Sequence, residues 1–209
     1  MGVEVTIIGT GNMGRSIGAL ALAGGHRVTL LGTTVDKARA LAAELQGDVQ
    51  AGTVGDPITG DVVVLAVWYA ALDDVLSTYG EQLDGKVVVD ITNPIDPQAF
   101  EPLKIEAGSV AQEIAQKAPR ARVVKAFNTT FASTLSQRQI AGQPLDVFIA
   151  SDDAGAKELV ARLVADGGPR PVDAGPLARA HELEALGFLH MVLQEPLGTS
   201  YGSAVKVLS

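Results

Sequence analysis

No cysteine occurs among the 209 residues, which excludes disulfides, thiolate metal sites and a cysteine nucleophile. Histidine is scarce, with three residues. His181 and His190 fall on different sides of one helical segment rather than a turn apart, so no metal-ligand spacing is present. Basic residues are the minority, 16 against 24 acidic, for a net charge of −8. That balance argues against a nucleic-acid partner. Long apolar runs are missing too. The longest, residues 62–72, is too short to span a bilayer, which argues against a membrane protein. Glu4 and an early glycine turn interrupt any charged-then-apolar leader. Together these absences lead to the expectation of a soluble cytoplasmic protein. The length suits one sizeable core with a small extension and leaves no room for a large helical substrate domain.

What the sequence does have is concentrated in residues 3–14, VEVTIIGTGNMG. Val3, Val5, Ile7 and Ile8 read as a short apolar strand. Gly9, Gly11 and Gly14 follow in the spacing G-x-G-x-x-G. Ile17, Leu20 and Ala21 then recur at helical steps. Strand, glycine turn and helix form the context in which this motif binds a dinucleotide. Gly9 serves the tight turn, Gly11 the approach of a pyrophosphate and Gly14 the close packing of helix on strand. The helix N-terminus offers free N–H groups and a favourable dipole to the phosphates.

The second strand, residues 27–31, ends in Gly32-Thr33-Thr34-Val35-Asp36-Lys37. An NAD-binding protein usually has an acidic residue there for the ribose hydroxyls. Here Thr33, Thr34 and Lys37 offer a pocket for a 2′-phosphate, which favours NADP. Thr33-x-x-Asp36 reads as a helix-capping arrangement that turns Asp36 away from the ribose. His26 reads as a partly exposed turn residue.

Further strands are expected at 49–53, 62–67, 87–90, 122–126, 145–150 and 171–173, with helices at 38–45, 153–166 and 177–193. The run VVVLAV is buried on both faces in this reading. Val67 and Trp68 follow it at the carboxyl end, where open parallel sheets bind ligands. Trp68 either touches the cofactor or covers the edge of the core. Residues 93–109, rich in proline, form a loop suited to cover the nicotinamide. Ser109-x-x-Gln112 reads as a capping box. The fold expected is α/β, a Rossmann-type doubly wound and mainly parallel sheet with a short C-terminal strand/helix extension. Residues 1–150 form the NADP-binding domain, and residues 151–209 form the extension packed on it as one compact unit.

Gly14-Arg15-Ser16-Ile17-Gly18 matches the hydrolase pattern G-x-S-x-G, but Ser16 lies inside the helix, not at a strained turn. No lysine sits in an obvious catalytic slot. Lys125 is as readily a strand-end or interface residue as a functional one. A Rossmann chain without acid–base machinery suits direct hydride transfer between two organic cofactors, where the protein's work is positioning.

The motifs IIGTGNMGRS, NPIDP, VVKAFNTT and PVDAGPL occur in this order. In them the chain resembles the NADP-dependent reductases of the deazaflavin coenzyme F420. It also resembles the cytosolic reductase domain of the six-transmembrane metalloreductases. The resemblance implies NADP(H) in the glycine turn, coenzyme F420 or a flavin as the second redox partner, and a homodimer. It implies that Thr10, Gly11, Asn12 and Met13 hold the pyrophosphate and that Thr33, Thr34 and Lys37 hold the 2′-phosphate. Val67 and Trp68 would flank the ribose and nicotinamide, with Asn93 also in the cofactor-binding set. Asn128 and Ala132 would border the nicotinamide. The F420 enzymes often carry arginine near Thr34 and histidine where Asn128 stands; asparagine is the metalloreductase-like choice. No residue is assigned to proton transfer, and Asn128 is the candidate for orienting a ring.

The leading expectation is an NADP(H)-dependent oxidoreductase exchanging hydride with coenzyme F420. The alternatives are an NADPH-dependent flavin or ferric reductase and a non-catalytic NADP(H)-binding redox sensor. A hydroxyacid or imine dehydrogenase is disfavoured, since those need the helical domain this length omits.

Overall fold

The computed structural model describes residues 2–208. The first half alternates β1 (Glu4–Ile8), α1 (Asn12–Ala23), β2 (Arg27–Gly32), α2 (Val35–Glu44), β3 (Val49–Thr53), β4 (Val62–Leu65), α3 (Leu72–Tyr79) and β5 (Val87–Asp90). It continues with α4 (Val110–Lys117), β6 (Arg122–Ala126), α5 (Ala132–Gln137), β7 (Gln139–Ile140), β8 (Gln143–Pro144) and β9 (Asp146–Ala150). The chain ends with α6 (Ala154–Asp166), β10 (Arg170–Gly175), α7 (Ala180–Val192) and α8 (Gln194–Leu197).

Eight strands form one sheet in the order β10-β9-β6-β5-β4-β1-β2-β3. All neighbours are parallel except β6 and β9. The chain winds outward from β1 to β3, returns to β4 on the other side of β1, and winds outward again. β1 and β4 therefore flank the switch point, where a crevice opens at the carboxyl ends of the strands.

Side chains along the central strands divide between two cores with a period of two. Val5, Ile7, Val62, Val64, Val87 and Val89 face one layer, with Ile17 and Leu20 of α1 and Val160 and Leu163 of α6. Ile8, Val63, Leu65 and Val88 face the other, with Val75 and Leu76 of α3 and Ala111 and Ile114 of α4. Strands covered on both faces read as unbroken apolar runs, which is why VVVL and VVVD are strands here.

Local details differ from the sequence reading in four places. The cap of α2 is Thr34, whose hydroxyl accepts from the Lys37 N–H at 3.4 Å, with Asp36 one position inside the helix. His26 is buried, and its Nδ1 accepts from the Val3 N–H at 3.0 Å. Residues 177–179 form a turn of 3-10 helix before α7 begins. The two-residue strands β7 and β8 pair as a small hairpin that the sequence does not announce. The capping box at Ser109 forms: its hydroxyl accepts from the Gln112 N–H and bonds the Gln112 side chain. Among the described residues, no helix is long and apolar enough to cross a membrane.

Candidate functional site

A cleft of about 460 Å³ opens at the carboxyl ends of β1, β4 and β5. Gly11, Asn12 and Met13 line it from the glycine turn, Val67 and Trp68 from the end of β4, and Asn93 from beyond β5. Six residues named from the sequence thus meet in one cleft. Tyr69, Thr92, Ile95 and Met191 also line it and were not named.

The glycine turn has the geometry that a phosphate cradle needs. Gly9 has φ +116°, and a Cβ there would lie 2.1 Å from the Ala66 carbonyl oxygen, so only glycine fits. A Cβ on Gly14 would lie 2.2 Å from the Gly9 carbonyl oxygen, so α1 packs directly on the turn. A Cβ on Gly11 would meet nothing within 4 Å. That open space lies at the N-terminus of α1, where no side chain caps the helix. The first N–H groups are left to a ligand, and an anion is the ligand they favour. The residues present therefore fit a dinucleotide pyrophosphate.

Other named residues lie around this cleft without lining it. Thr10 sits against β2, its Cγ2 3.2 Å from where a Cβ on Gly32 would stand. Thr33, Thr34 and Lys37 are exposed at the end of β2, with Lys37 Nζ 3.4 Å from the Thr33 hydroxyl. Ala132 opens α5, and its carbonyl accepts from the Ser16 hydroxyl at 2.9 Å, which ties α5 to α1. Trp68 is 80% exposed, so it covers no core.

Asn128 is buried just after Phe127, a fully buried residue at φ +62°. A non-glycine residue in that region is strained and turns the chain sharply out of β6. The Asn128 amide donates to Asn93 Oδ1 at 2.9 Å and to the Leu183 carbonyl at 2.8 Å, while Asn93 Nδ2 donates to the Asn128 carbonyl at 2.8 Å. Its Oδ1 is fully enclosed with no hydrogen-bond partner. The turn itself is closed by Thr130, through its N–H and hydroxyl on the Phe127 carbonyl.

Behind the cleft lies a group of charges that sequence reasoning missed. Lys125, fully buried, donates to Asp90 Oδ2 at 2.7 Å, to Glu184 Oε1 at 2.8 Å and to the Thr92 carbonyl at 2.6 Å. Asp90 and Lys125 are register partners on adjacent strands. Opposite charges near the carboxyl ends of two strands with apolar centres were the available signal. Glu184, on α7, had none. Glu184 also lines a second cavity of about 470 Å³, which shares Asn93 and Ile95 with the first. Among the described residues, no group of histidine, aspartate and glutamate could hold a metal ion.

Comparison with known proteins gives the same direction. Residues 4–94 match a family model described as "NADP oxidoreductase coenzyme F420-dependent". The F420-dependent NADP reductase of Methanothermobacter thermautotrophicus is 28% identical over 204 residues, 89% of this chain and 87% of that protein. The metalloreductase STEAP3 of Rattus norvegicus is 30% identical over 184 residues, 88% of this chain; the chain spans 36% of its length. The crystal structure of a candidate F420-dependent NADP reductase from an Arthrobacter species superposes with a TM-score of 0.84 at 29% identity, over 96% of this chain and 97% of that one. The chain is thus similar to both groups that its motifs resemble.

Proposed function

We propose, from a likeness to the F420-dependent NADP reductases that runs through nearly the whole of both chains, that this protein is an NADP-dependent oxidoreductase exchanging hydride between NADP(H) and coenzyme F420. The observation that carries the reading is the cleft at the switch point, with an uncapped helix N-terminus and open space at Gly11. NADP(H) supplies or takes up hydride when bound there.

The chain's own residues bind and orient. In this reading the N–H groups of Asn12 and Met13, with Thr10, Gly9, Gly11 and Gly14, hold the pyrophosphate. Thr33, Thr34 and Lys37 take the 2′-phosphate, since no carboxylate competes at the end of β2. Val67, Trp68 and Asn93 flank the ribose and nicotinamide, with Ala132 beside them. Asn128 holds Asn93, which lines the cleft, and orients a ring through that pair. The assembly is a homodimer built on the exposed apolar side chains Leu189, Val192, Leu193 and Leu197. A cytoplasmic location belongs to the same reading.

A second reading, an NADPH-dependent flavin or ferric reductase, is supported by the likeness to the rat metalloreductase and by asparagine at position 128. Absorbance tests both: NADPH is mixed with coenzyme F420, FMN and FAD in turn. Steady bleaching of F420 is the expected result. Turnover of FMN or FAD alone would favour the second reading, and no turnover with any of them would favour a sensor.

A further inference from the structure

Lys125 is a single ammonium set between two buried carboxylates, of which Glu184 lines the second cavity. Asp90 is the better satisfied of the two. Its Oδ1 accepts from the Thr92 N–H at 2.9 Å and the Thr92 hydroxyl at 2.7 Å, and its Oδ2 accepts from Lys125. Glu184 receives both its bonds, from Lys125 and the Val110 N–H, on Oε1. Oε2 accepts nothing from the described residues. It is not among the fully enclosed unpartnered atoms either, so it is open to the cavity that Glu184 lines. One ammonium faces two carboxylates, so one of them is left without a countercharge of its own. The count of donors leaves Glu184 Oε2 as the carboxylate oxygen with room for a proton.

Burial pushes the Glu184 carboxyl up from its ordinary range. Asp90 adds to the shift, against the pull of Lys125. The other charged or titratable groups on the cavity wall are Lys104, on the loop after β5, and His181, one turn earlier on α7. His181 Nδ1 lies 3.0 Å from the Gly108 carbonyl. From α4 the carboxyl meets only the Val110 N–H. Asn93 apart, the remaining side chains on the walls, among them Pro94, Ile95, Pro102, Leu103, Ile105 and Phe188, are apolar and suit a flat heteroaromatic ring.

We propose that Glu184 is the proton donor to the hydride acceptor, whose nitrogen-bearing ring edge enters the second cavity. The inference rests on the hydride-transfer reading above. Glu184 gives its proton to a ring nitrogen, its O–H bond breaking as the N–H bond forms, while a ring carbon receives the hydride with its electron pair from the nicotinamide. The Glu184 carboxylate left behind faces the Lys125 ammonium and regains a proton from water in the cavity. In the reverse direction Glu184 accepts the proton. The positioning-only machinery expected from the sequence thus gains an acid.

Two measurements test this, one without any ligand. In the first, the infrared spectrum of the nucleotide-free protein at pH 7 is recorded with and without glutamate carrying ¹³C at its side-chain carboxyl. A protonated-carboxyl band that shifts with the label and disappears in Glu184→Gln is expected. Absence of a labelled band in the unsubstituted protein overturns the proposal, whether or not the variant folds. In the second, the pH profile of acceptor reduction is compared in the two proteins. The unsubstituted enzyme should lose turnover as pH rises through the Glu184 titration. Glu184→Gln should lose that limb and fall about 100-fold at the optimum, the scale of a lost general acid. An unchanged profile and rate in the folded variant would overturn the proposal. Failure of the unsubstituted protein to reduce F420, FMN or FAD would sink the hydride-transfer reading, and with it the donor role, even where the infrared band is present.

Discussion

At the scale of single residues, a side chain's chemistry was readable where one type alone can serve, and unreadable where distant segments meet. Gly9 is legible because its positive φ and the Ala66 carbonyl exclude any side chain. His26 is not, because its burial depends on Val3 and Asp166 arriving from elsewhere. Thr34 is both an N-cap and a member of the proposed 2′-phosphate pocket. Aspartate is as good a cap, so Thr34→Asp should fold normally and repel the phosphate. Titration of both nucleotides should show NADPH bound more tightly than NADH by the unsubstituted protein, with that preference cut at least ~10-fold in the variant. Equal affinities in the unsubstituted protein would remove the NADP assignment. Asn128→Ala should lower stability by about 1–3 kcal/mol, because the Leu183 carbonyl and Asn93 Oδ1 lose their donor. Turnover per folded molecule, measured well below the melting temperature, should also drop ~10- to 100-fold. Unchanged turnover per folded molecule would make Asn128 a strut between β6 and α7 with no orienting role.

At the scale of elements, the strands that frame the site were plain in the sequence, since VVVL and VVVD are apolar on both faces. The hairpin of β7 and β8 is too short to carry a period. The reversed direction of β9 depends on the connection through α5 and the hairpin, which no local pattern records. α7 was legible as a helix but not in its docking, because its apolar residues point to several sides and it meets the paired asparagines through a glycine. A Cβ on Gly187 would lie 2.8 Å from Asn93 Oδ1 and 2.9 Å from the Asn128 carbonyl oxygen. Gly187→Ala should therefore push α7 away from the paired asparagines, costing about 1–3 kcal/mol. A thermal melt unchanged from the parent would mean that α7 does not seat on those residues.

His26 joins β1 to the turn before β2, and its titration shows how an element-scale contact answers to pH. Burial lowers its affinity for a proton, against the raising effect of Asp166 3.4 Å away. Nδ1 must also stay unprotonated to accept the Val3 N–H. The unfolded chain binds this proton near the ordinary value of 6.5 and the folded chain only below it, so stability falls as pH drops through that window. In His26→Gln the stability lost between pH 7 and pH 5 should be smaller than in the parent. Equal losses would contradict a neutral, buried His26.

At the scale of the whole molecule, the proposed hydride exchange brings two redox partners to adjoining cavities. The glycine-turn side of the cleft was legible in the sequence, because strand, glycine turn and helix are contiguous in the chain. The charges behind the cleft were illegible, because Asp90, Lys125 and Glu184 come from three separated segments. Assembly belongs to this scale as well. The apolar face of α7 and α8 should place the protein as a dimer by light scattering at micromolar concentration. A monomer there would leave that face without its proposed cover. The most direct measurement follows an isotope. NADPH carrying deuterium at both C4 positions of the nicotinamide is mixed with the protein and coenzyme F420, and the reduced deazaflavin is examined by mass spectrometry. One deuterium retained on the ring carbon of each reduced molecule is expected, because hydride moves directly from carbon to carbon. Reduced deazaflavin without the label, or no reduction while NADPH binds, would contradict hydride exchange between these two partners.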